Sequence, residues 1–399
     1  MGGPSGEHYD RDTVDGAQTN AQGVTDVGER IMSRSRVDPS VLPMNRRIVS
    51  KARGPVGMAY DGSGSVDQLP KIFTDKGPLF SGQVSMNGYL LDPEVSAAVV
   101  NDMGDKAPVQ VAEFRRIRNL DLSFASLWAE GDGKGNGVES YEQTAYFYAF
   151  CCDIPNAETP FCVFVADEGM RESIDRKVLQ RLFGDGHESI STVDVFRELD
   201  RKFFGNVFLI HRYYRRGDDY ALSEWRRCLG NERIISLSGP GREACKDTDK
   251  SVTDILLGLL AIMTGARTLE AYLEDMRSAR AKPQTEARIE HVRGALEGVA
   301  KYAARFPMYR SAEAPEERSD RSRETDVLIH RLRGMLVNES TRPKPAKDGW
   351  TYCRGLALPD GVAEETPEWG RIREYLKKAG LDAEIADDRE DMIAIVRVQ

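Results

Sequence analysis

The 399-residue sequence lacks the long apolar run that a membrane-spanning helix needs, and its first residues show no basic segment followed by an apolar one. These absences predict a protein that stays in the cytoplasm and does not enter a membrane. A basic surface is also lacking, because 64 acidic residues outnumber 55 lysines and arginines and give a net charge of −9. Nucleic-acid binding needs cationic side chains that displace counterions, so we expect no nucleic-acid partner.

Cysteines are too scattered for a disulfide framework or a structural zinc site. There are six, including the adjacent Cys151 and Cys152, but none lies in a C-x-x-C spacing. We therefore expect reduced and mostly buried thiols. A phosphate-binding P-loop is absent as well, because no Gly-Lys-Ser/Thr follows the glycine-rich segment 130–137.

Short apolar runs that alternate with helical patterns make up the middle of the chain. Strands are predicted by the runs 55–60, 95–100, 161–166, 207–210 and 233–237. Continuous apolar runs are typical of parallel strands covered on both faces, so the alternation predicts a doubly wound, mostly parallel, Rossmann-like α/β sheet. The segment 109–114 follows a turn after the second run, and it predicts one antiparallel edge strand.

Composition divides the whole chain into five parts. In order, we expect a disordered arm at 1–45, the α/β domain at 46–266, a helical extension at 267–310, a charged linker with a short helix at 311–348, and a small α/β appendage at 349–399. Within the linker, 311–325 is dense in charge and predicts a flexible connector ahead of a helix near 327–336. The segment 251–264 is apolar on nearly every side, which predicts a helix packed into the core.

Polar side chains with metal-binding chemistry follow the first predicted strand. Asp61, Ser63 and Ser65 stand on alternate residues of a tight turn, and the intervening glycines let the backbone bend. A carboxylate and two hydroxyls are hard oxygen ligands that suit Mg²⁺. The same residues are common in ordinary turns and helix caps, so the pattern alone leaves both interpretations open.

Two other segments are expected at the same edge of the sheet. Asp167 ends the predicted strand 161–166, and ligands of open α/β sheets bind at the carboxyl ends of the strands. The glycine-rich loop 130–137 leads to Glu139 and Ser140. A helix cap is the alternative role for Asp167, and a plain surface connection is the alternative for the loop.

Three more polar residues have both a functional and an ordinary interpretation. Asp102 and Asp105 lie in the predicted hairpin turn, where they either line the rim of the site or only shape the turn. His211 is the one histidine that follows a predicted strand, so it is a candidate catalytic base. A core histidine at a strand end is the ordinary interpretation, and we favour it.

Taken together, residues 56–264 resemble a von Willebrand factor A (VWA) domain. Asp61, Ser63 and Ser65 match the first motif of its metal-ion-dependent adhesion site, and Asp167 matches the aspartate after the central strand. A hairpin after the first helix also fits the order of strands in this family. The resemblance implies a doubly wound fold with one divalent metal ion held by loops.

The middle motif departs from the family pattern, which has a threonine at this point. Glu139 or Ser140 occupies the expected region, and Thr144 lies too deep in the predicted helix. A subset of bacterial VWA-like proteins is more similar, because it combines Glu-Ser-Tyr, an Asp-Glu after the central strand, and a Trp-x-x-x-Leu-Gly segment, here 225–230. The resemblance therefore implies binding of Mg²⁺ or Mn²⁺ by Asp61, Ser63, Ser65, Glu139, Ser140 and Asp167.

The resemblance implies a non-enzymatic module that uses the metal to bind an acidic residue of a partner protein. Members of the bacterial cytoplasmic subset are often linked with MoxR-type AAA+ ATPases or with stress and defence systems. Two alternatives are a scaffold with a degenerate metal site and a metal-dependent hydrolase on a similar sheet. Phosphatases of the haloacid dehalogenase type need a carboxylate where Ser63 stands, and no G-x-S-x-G elbow is present.

Overall fold

The computed structural model describes residues 37–63, 72, 75–129, 138–213, 219–237, 246–278, 284–309, 318–337, 344–346, 350–385 and 393–398. In chain order, the β-strands are β1 (Ile48–Val49), β2 (Gly54–Asp61), β3 (Pro93–Val100), β4 (Val109–Val111), β5 (Arg115–Arg116), β6 (Cys152–Asp153), β7 (Phe161–Ala166), β8 (Ser173–Ile174), β9 (Ile190–Ser191), β10 (Val207–His211), β11 (Ile234–Ser236), β12 (Thr351–Ala357), β13 (Leu381–Ile385) and β14 (Ile393–Val398).

The α-helices are α1 (Gly77–Asn87), α2 (Leu120–Ala125), α3 (Tyr141–Phe150), α4 (Arg176–Phe183), α5 (Thr192–Lys202), α6 (Asp219–Leu229), α7 (Lys246–Asp249), α8 (Val252–Met263), α9 (Leu269–Arg277), α10 (Glu286–Arg305), α11 (Asp320–Leu336) and α12 (Pro367–Lys378). None of the helices in the described part of the chain is both long and apolar enough to cross a membrane.

A seven-stranded sheet forms the centre of the fold. Its order is β11-β10-β7-β2-β3-β4, with the short β5 paired beside β4 on β3. Strands β2, β3, β7, β10 and β11 run parallel, whereas β4 is antiparallel to β3. This order confirms the predicted doubly wound, mostly parallel sheet with an antiparallel edge. The predicted apolar strands are correct because both faces of the sheet are covered by helices, which leaves every residue of β2 and β7 buried.

Helices lie on both faces of this sheet. One face packs against α1, α2, α8, α9 and α10, and the other against α3, α4, α5 and α6. Strand β2 shows how the faces differ, because Val56, Met58 and Tyr60 point to the first face. On the second face Gly57 leaves room for α3, since an added Cβ would come within 3.1 Å of the Tyr148 ring. All residues of α8 are buried, which confirms the predicted core helix.

The C-terminal part has its own apolar cluster. Strands β12, β14 and β13 form an antiparallel sheet in that order, and the cluster joins this sheet to α11 and α12. Helix α11 also packs on α5, one of the helices that cover the larger sheet. The division of the chain into domains stays a prediction, but α11 connects this C-terminal cluster with the helices that cover the larger sheet.

The prediction of a flexible connector at 311–325 is wrong for its last residues, because helix α11 occupies them. The helix begins at Asp320, where the Ser319 hydroxyl accepts a hydrogen bond from Ser322 N, and not near residue 327. The charged residues of its first turns hid an amphipathic helix whose inner face buries Thr325 and Leu328. Residues 311–317 of the connector lie outside the described residues.

The predicted arm also ends earlier than expected. Residues 1–36 lie outside the described part of the chain, but 37–45 are packed against the sheet domain. Val41 is buried in the core, and Asn45 N donates a hydrogen bond to Phe183 O over 3.1 Å. The packed chain therefore begins before the predicted boundary near residue 46, because Val41 supplies apolar surface that the composition of the arm obscured.

Five of the six cysteines fall within the described residues, and they confirm the expected thiol chemistry. Cys151, Cys152, Cys162, Cys228 and Cys353 are all free and buried. Burial raises the pKa of Cys152 and of Cys228 to about 12. The thiols of these two residues are therefore protonated at neutral pH, and they act as small apolar side chains.

Candidate functional site

Two aspartates end neighbouring parallel strands where the strand order reverses. The chain leaves β2 for β3 on one side, while β7 pairs with β2 on the other. Asp61 is the last residue of β2, and Asp167 follows β7. Each residue is 1% exposed, and the Asp167 side chain is near enough to influence the pKa of Asp61. The structure thus brings both residues to the topological switch point, which is where open α/β sheets bind their ligands.

The turn after β2 holds the Asp61 carboxylate in place. Its Oδ1 accepts a hydrogen bond from Ser63 N over 2.7 Å, and Ser63 is itself buried. Gly62 is required here, because an added Cβ would come within 2.6 Å of both Asn101 and Val99 at the end of β3. Ser65, the third residue of the motif, lies outside the described residues.

Glu139 and Ser140 reach this edge through backbone pairing. Val138 forms a parallel bridge with Gly169, and Glu139 N donates to Gly169 O over 3.1 Å. Ser140 N donates to Asn101 O over 3.2 Å, which ties the segment to β3 as well. The loop 130–137 that precedes them lies outside the described residues.

Two polar atoms of this segment are buried without a hydrogen-bond partner among the described residues. They are Glu139 Oε2 and Ser140 Oγ. An unsatisfied buried polar atom is costly, so its presence in a native site points to a bound ion, water or partner. Both residues belong to the segment that pairs with Asn101 and Gly169, at the edge of the sheet where Asp61 and Asp167 lie.

The electrostatic environment at this edge disfavours the ionised forms of its buried carboxyl groups. Burial, followed by the nearby charges of Asp61 and Glu168, raises the pKa of Glu139 to about 10. Burial also raises the pKa of Asp61, although hydrogen bonds from Ser63 and Tyr141 oppose the shift. Carboxyl groups this close cannot all be ionised unless a cation balances them.

Tyr141 is a site residue that the sequence did not reveal by itself. Its hydroxyl donates a hydrogen bond to Asp61 Oδ2 at the first turn of α3. The ring packs against Trp225 with 5.3 Å between ring centroids, and Trp225 Nε1 donates to Glu168 O over 3.0 Å. The Glu-Ser-Tyr and Trp segments, which carried the resemblance, therefore meet around Asp61 and the turn at Asp167.

The remaining candidates fit their ordinary interpretations. The Thr144 hydroxyl bonds to Ser140 O inside α3, so it stays within the helix. Asp102 Oδ1 accepts from Gly104 N, and Asp105 Oδ2 accepts from Asp102 N, as in a structured turn. Both acids still contribute to raising the pKa of Glu139. His211 is buried at the end of β10, opposite Ala166, as expected of a core histidine at a strand end.

The donor set fits a hard divalent cation only if hydroxyls take part. In the described part of the chain, no three side chains of the types His, Cys, Asp and Glu are grouped so that they hold a metal ion by themselves. The site offers the carboxyl groups of Asp61, Asp167 and Glu139 and the hydroxyls of Ser63 and Ser140. Oxygen ligands of this kind, with water, are those that Mg²⁺ and Mn²⁺ prefer.

Comparisons with known proteins add no relative, since no protein-family model and no curated protein matches the chain. The fold and the site define the class of protein. It is a doubly wound α/β protein with a buried, acidic and hydroxyl-lined site at the switch point of its sheet.

Proposed function

We propose that this protein is a VWA-type interaction module that binds one divalent cation, Mg²⁺ or Mn²⁺, and through it an acidic residue of a partner protein. The strand order with an antiparallel edge supports the proposal, because it is the arrangement that the resemblance requires. A cytoplasmic location is part of the proposal, since the VWA-like subset that the chain resembles is cytoplasmic.

One observation carries the proposal. Glu139 and Ser140 carry buried oxygens without hydrogen-bond partners among the described residues, at the same edge of the sheet as Asp61 and Asp167. A divalent cation would satisfy these oxygens and balance the carboxylates in one step. Asp61, Ser63 and Asp167 would hold it with Glu139 or Ser140, and Ser65 completes the first motif. The bound metal would supply an open position that attracts a carboxylate.

Calorimetric titration of Mg²⁺ and Mn²⁺ into the full chain tests the metal site. We expect saturable one-site binding to the wild type and no detectable binding to Asp61→Ala or Asp167→Ala. Glu139→Ala should lose binding if this carboxylate is a ligand, and Asp105→Asn is the matched control. Asp105 is a nearby acid that serves its own turn, so its loss should weaken binding by less than about fivefold, as expected for a nearby charge.

The folded state of each variant is checked by circular dichroism. Wild-type protein that binds neither metal, or an Asp61→Ala variant that binds as well as the wild type, contradicts the metal site. The first outcome favours the alternative of a scaffold whose site is degenerate.

The resemblance points to a MoxR-type AAA+ ATPase as the partner to test first. We expect co-purification in Mg²⁺ that is lost with EDTA and in Asp61→Ala. The carboxylate of a partner can occupy the open position only while the metal is bound. A complex that survives both treatments contradicts recognition through the metal and supports the scaffold alternative.

A further inference from the structure

A cavity lies at the opposite end of the sheet from the candidate metal site. Its volume is about 660 Å³, and it is enclosed by the starts of β2, β3 and β7 on one side and by α11 on the other. Leu91, Ala157 and Val327 form apolar parts of its wall. A volume of this size and a mixed lining are typical of sites for small molecules.

Two buried polar atoms in this wall lack hydrogen-bond partners among the described residues. They are Thr159 Oγ1 and His330 Nδ1, in side chains that are only 2% and 4% exposed. The imidazole is held rigidly, because it stacks on Phe204 with 4.5 Å between ring centroids and an interplanar angle of 9°. Both residues line the cavity, and buried polar groups without partners among the described residues are groups that a bound ligand can satisfy.

The charged side chains around the cavity favour an anion. Its wall holds four cationic and three acidic residues, which are Lys51, Arg53, Arg318, Arg323, Asp92, Glu158 and Asp326. Two of the three acids are also paired with arginines that lie outside the wall: Asp92 with Arg116, and Asp326 with Arg371. Within the wall, Arg53 pairs with Glu158, and Arg318 pairs with Glu158 and Asp326. Lys51 and Arg323 therefore provide the positive excess of the wall.

We propose that this cavity binds a small organic anion, either a phosphate monoester or a carboxylate. Its charged group would face Arg323 and Lys51, because guanidinium and ammonium groups both bind such oxyanions. Its hydrogen-bonding groups would reach Thr159 and His330, and its body would rest on the apolar wall. The site is separate from the proposed metal site, since it lies at the amino ends of the parallel strands.

Calorimetry on the full chain with three probes tests this proposal: inorganic phosphate, citrate and adenosine monophosphate. We expect saturable binding of at least one probe, weakened about tenfold in Thr159→Val, which is the size of one hydrogen bond to a charged group. The variant should fold with an unchanged or raised melting temperature, because the lost hydroxyl has no partner among the described residues. Thr325→Val is the matched control, since that buried hydroxyl bonds to Arg321 O within α11.

A pair of charge variants separates the cavity from general surface attraction. Arg323 lines the cavity, whereas Arg331 is an exposed residue of the same helix outside it. Arg323→Gln should weaken binding severalfold, and Arg331→Gln should leave it unchanged. The proposal is overturned if no probe binds saturably up to roughly 10 mM, which is the weak end of specific affinities. It is also overturned if Thr159→Val keeps wild-type affinity, or if the two arginine variants lose affinity equally.

Discussion

Asp61 is the last residue of a strand in which every side chain is buried, so its carboxyl group meets protein partners and not bulk water. Its Oδ1 is bonded by the turn that follows, and its Oδ2 by Tyr141 from a different part of the chain. The local half of this arrangement is visible in the sequence as Asp-Gly-Ser. The Tyr141 half depends on the packing of α3 against the sheet, which no local pattern reveals.

The Tyr141 hydroxyl provides a test of this arrangement. Tyr141→Phe keeps the ring that packs on Trp225 but removes the hydrogen bond to Asp61. If Asp61 holds a metal, we expect Mg²⁺ affinity to fall by about tenfold, because groups that orient metal ligands have effects of this size. Titration calorimetry measures the change.

Tyr148→Phe is the control for that substitution. It removes a buried hydroxyl from the same helix that bonds to Ser96 O over 3.1 Å and does not contact the site acids. If both variants lose affinity equally, the effect comes from helix packing and the role of the Tyr141 hydroxyl is refuted.

Helix α11 is the element that joins the C-terminal cluster to the sheet domain. Its Arg333 is fully buried, and its guanidinium donates to Phe204 O, Asn206 Oδ1 and Phe306 O. Phe204 follows α5, and Phe306 follows α10, so one side chain satisfies carbonyl groups at the ends of two helices. The ring of Tyr302 packs against the same guanidinium.

Arg333→Met should therefore destabilise the whole chain. Several buried oxygens would lose their donor, and we expect the free energy of unfolding to fall by at least about 3 kcal/mol. Urea denaturation followed by circular dichroism measures this change. Arg331→Met, on the exposed side of the helix, should alter stability by less than about 0.5 kcal/mol. Similar losses in the two variants would contradict the anchoring role of Arg333.

At the scale of the whole molecule, the junction between the C-terminal cluster and the larger sheet contains a histidine that stays neutral. Burial, followed by the charges of Arg333 and Arg318, lowers the pKa of His330 from 6.5 to about 3. In the unfolded chain the His330 imidazole binds a proton below pH 6.5, whereas in the folded protein it binds one only near pH 3. Above pH 6.5 the histidine is neutral in both states and costs no stability, and the stability of the fold decreases as the pH falls from 6.5 towards 3.

The matching prediction concerns the pH dependence of unfolding. Between pH 6.5 and about 4.5, the wild type should lose up to about 1.4 kcal/mol per pH unit more than His330→Gln, because one proton is linked to unfolding. Urea denaturation of both proteins across this range, in buffer free of phosphate and carboxylate, measures the difference. Parallel stability profiles would show that His330 does not remain neutral in the fold.

Local patterns in the sequence determined the strands, the core helix α8, the antiparallel edge and the placement of Asp61 and Asp167 at strand ends. Apolar periodicity reports burial directly, and a polar residue that ends an apolar strand must lie at an edge of the sheet. The same reasoning failed where charged and polar residues surround a packed segment. It missed the start of α11 at Asp320 and the burial of Val41 in the predicted arm.

Only the tertiary structure decided which distant segments meet. Strand order brings Glu139 beside the turn at Asp167, and helix packing brings Tyr141 to Asp61. The docking of α11 places His330 across a cavity from Thr159. These contacts join residues far apart in the chain, and the free energy that selects them comes from packing the whole core. The sequence by itself therefore determined which residues lie at the edge of the sheet, and the tertiary structure determined which side chains meet there.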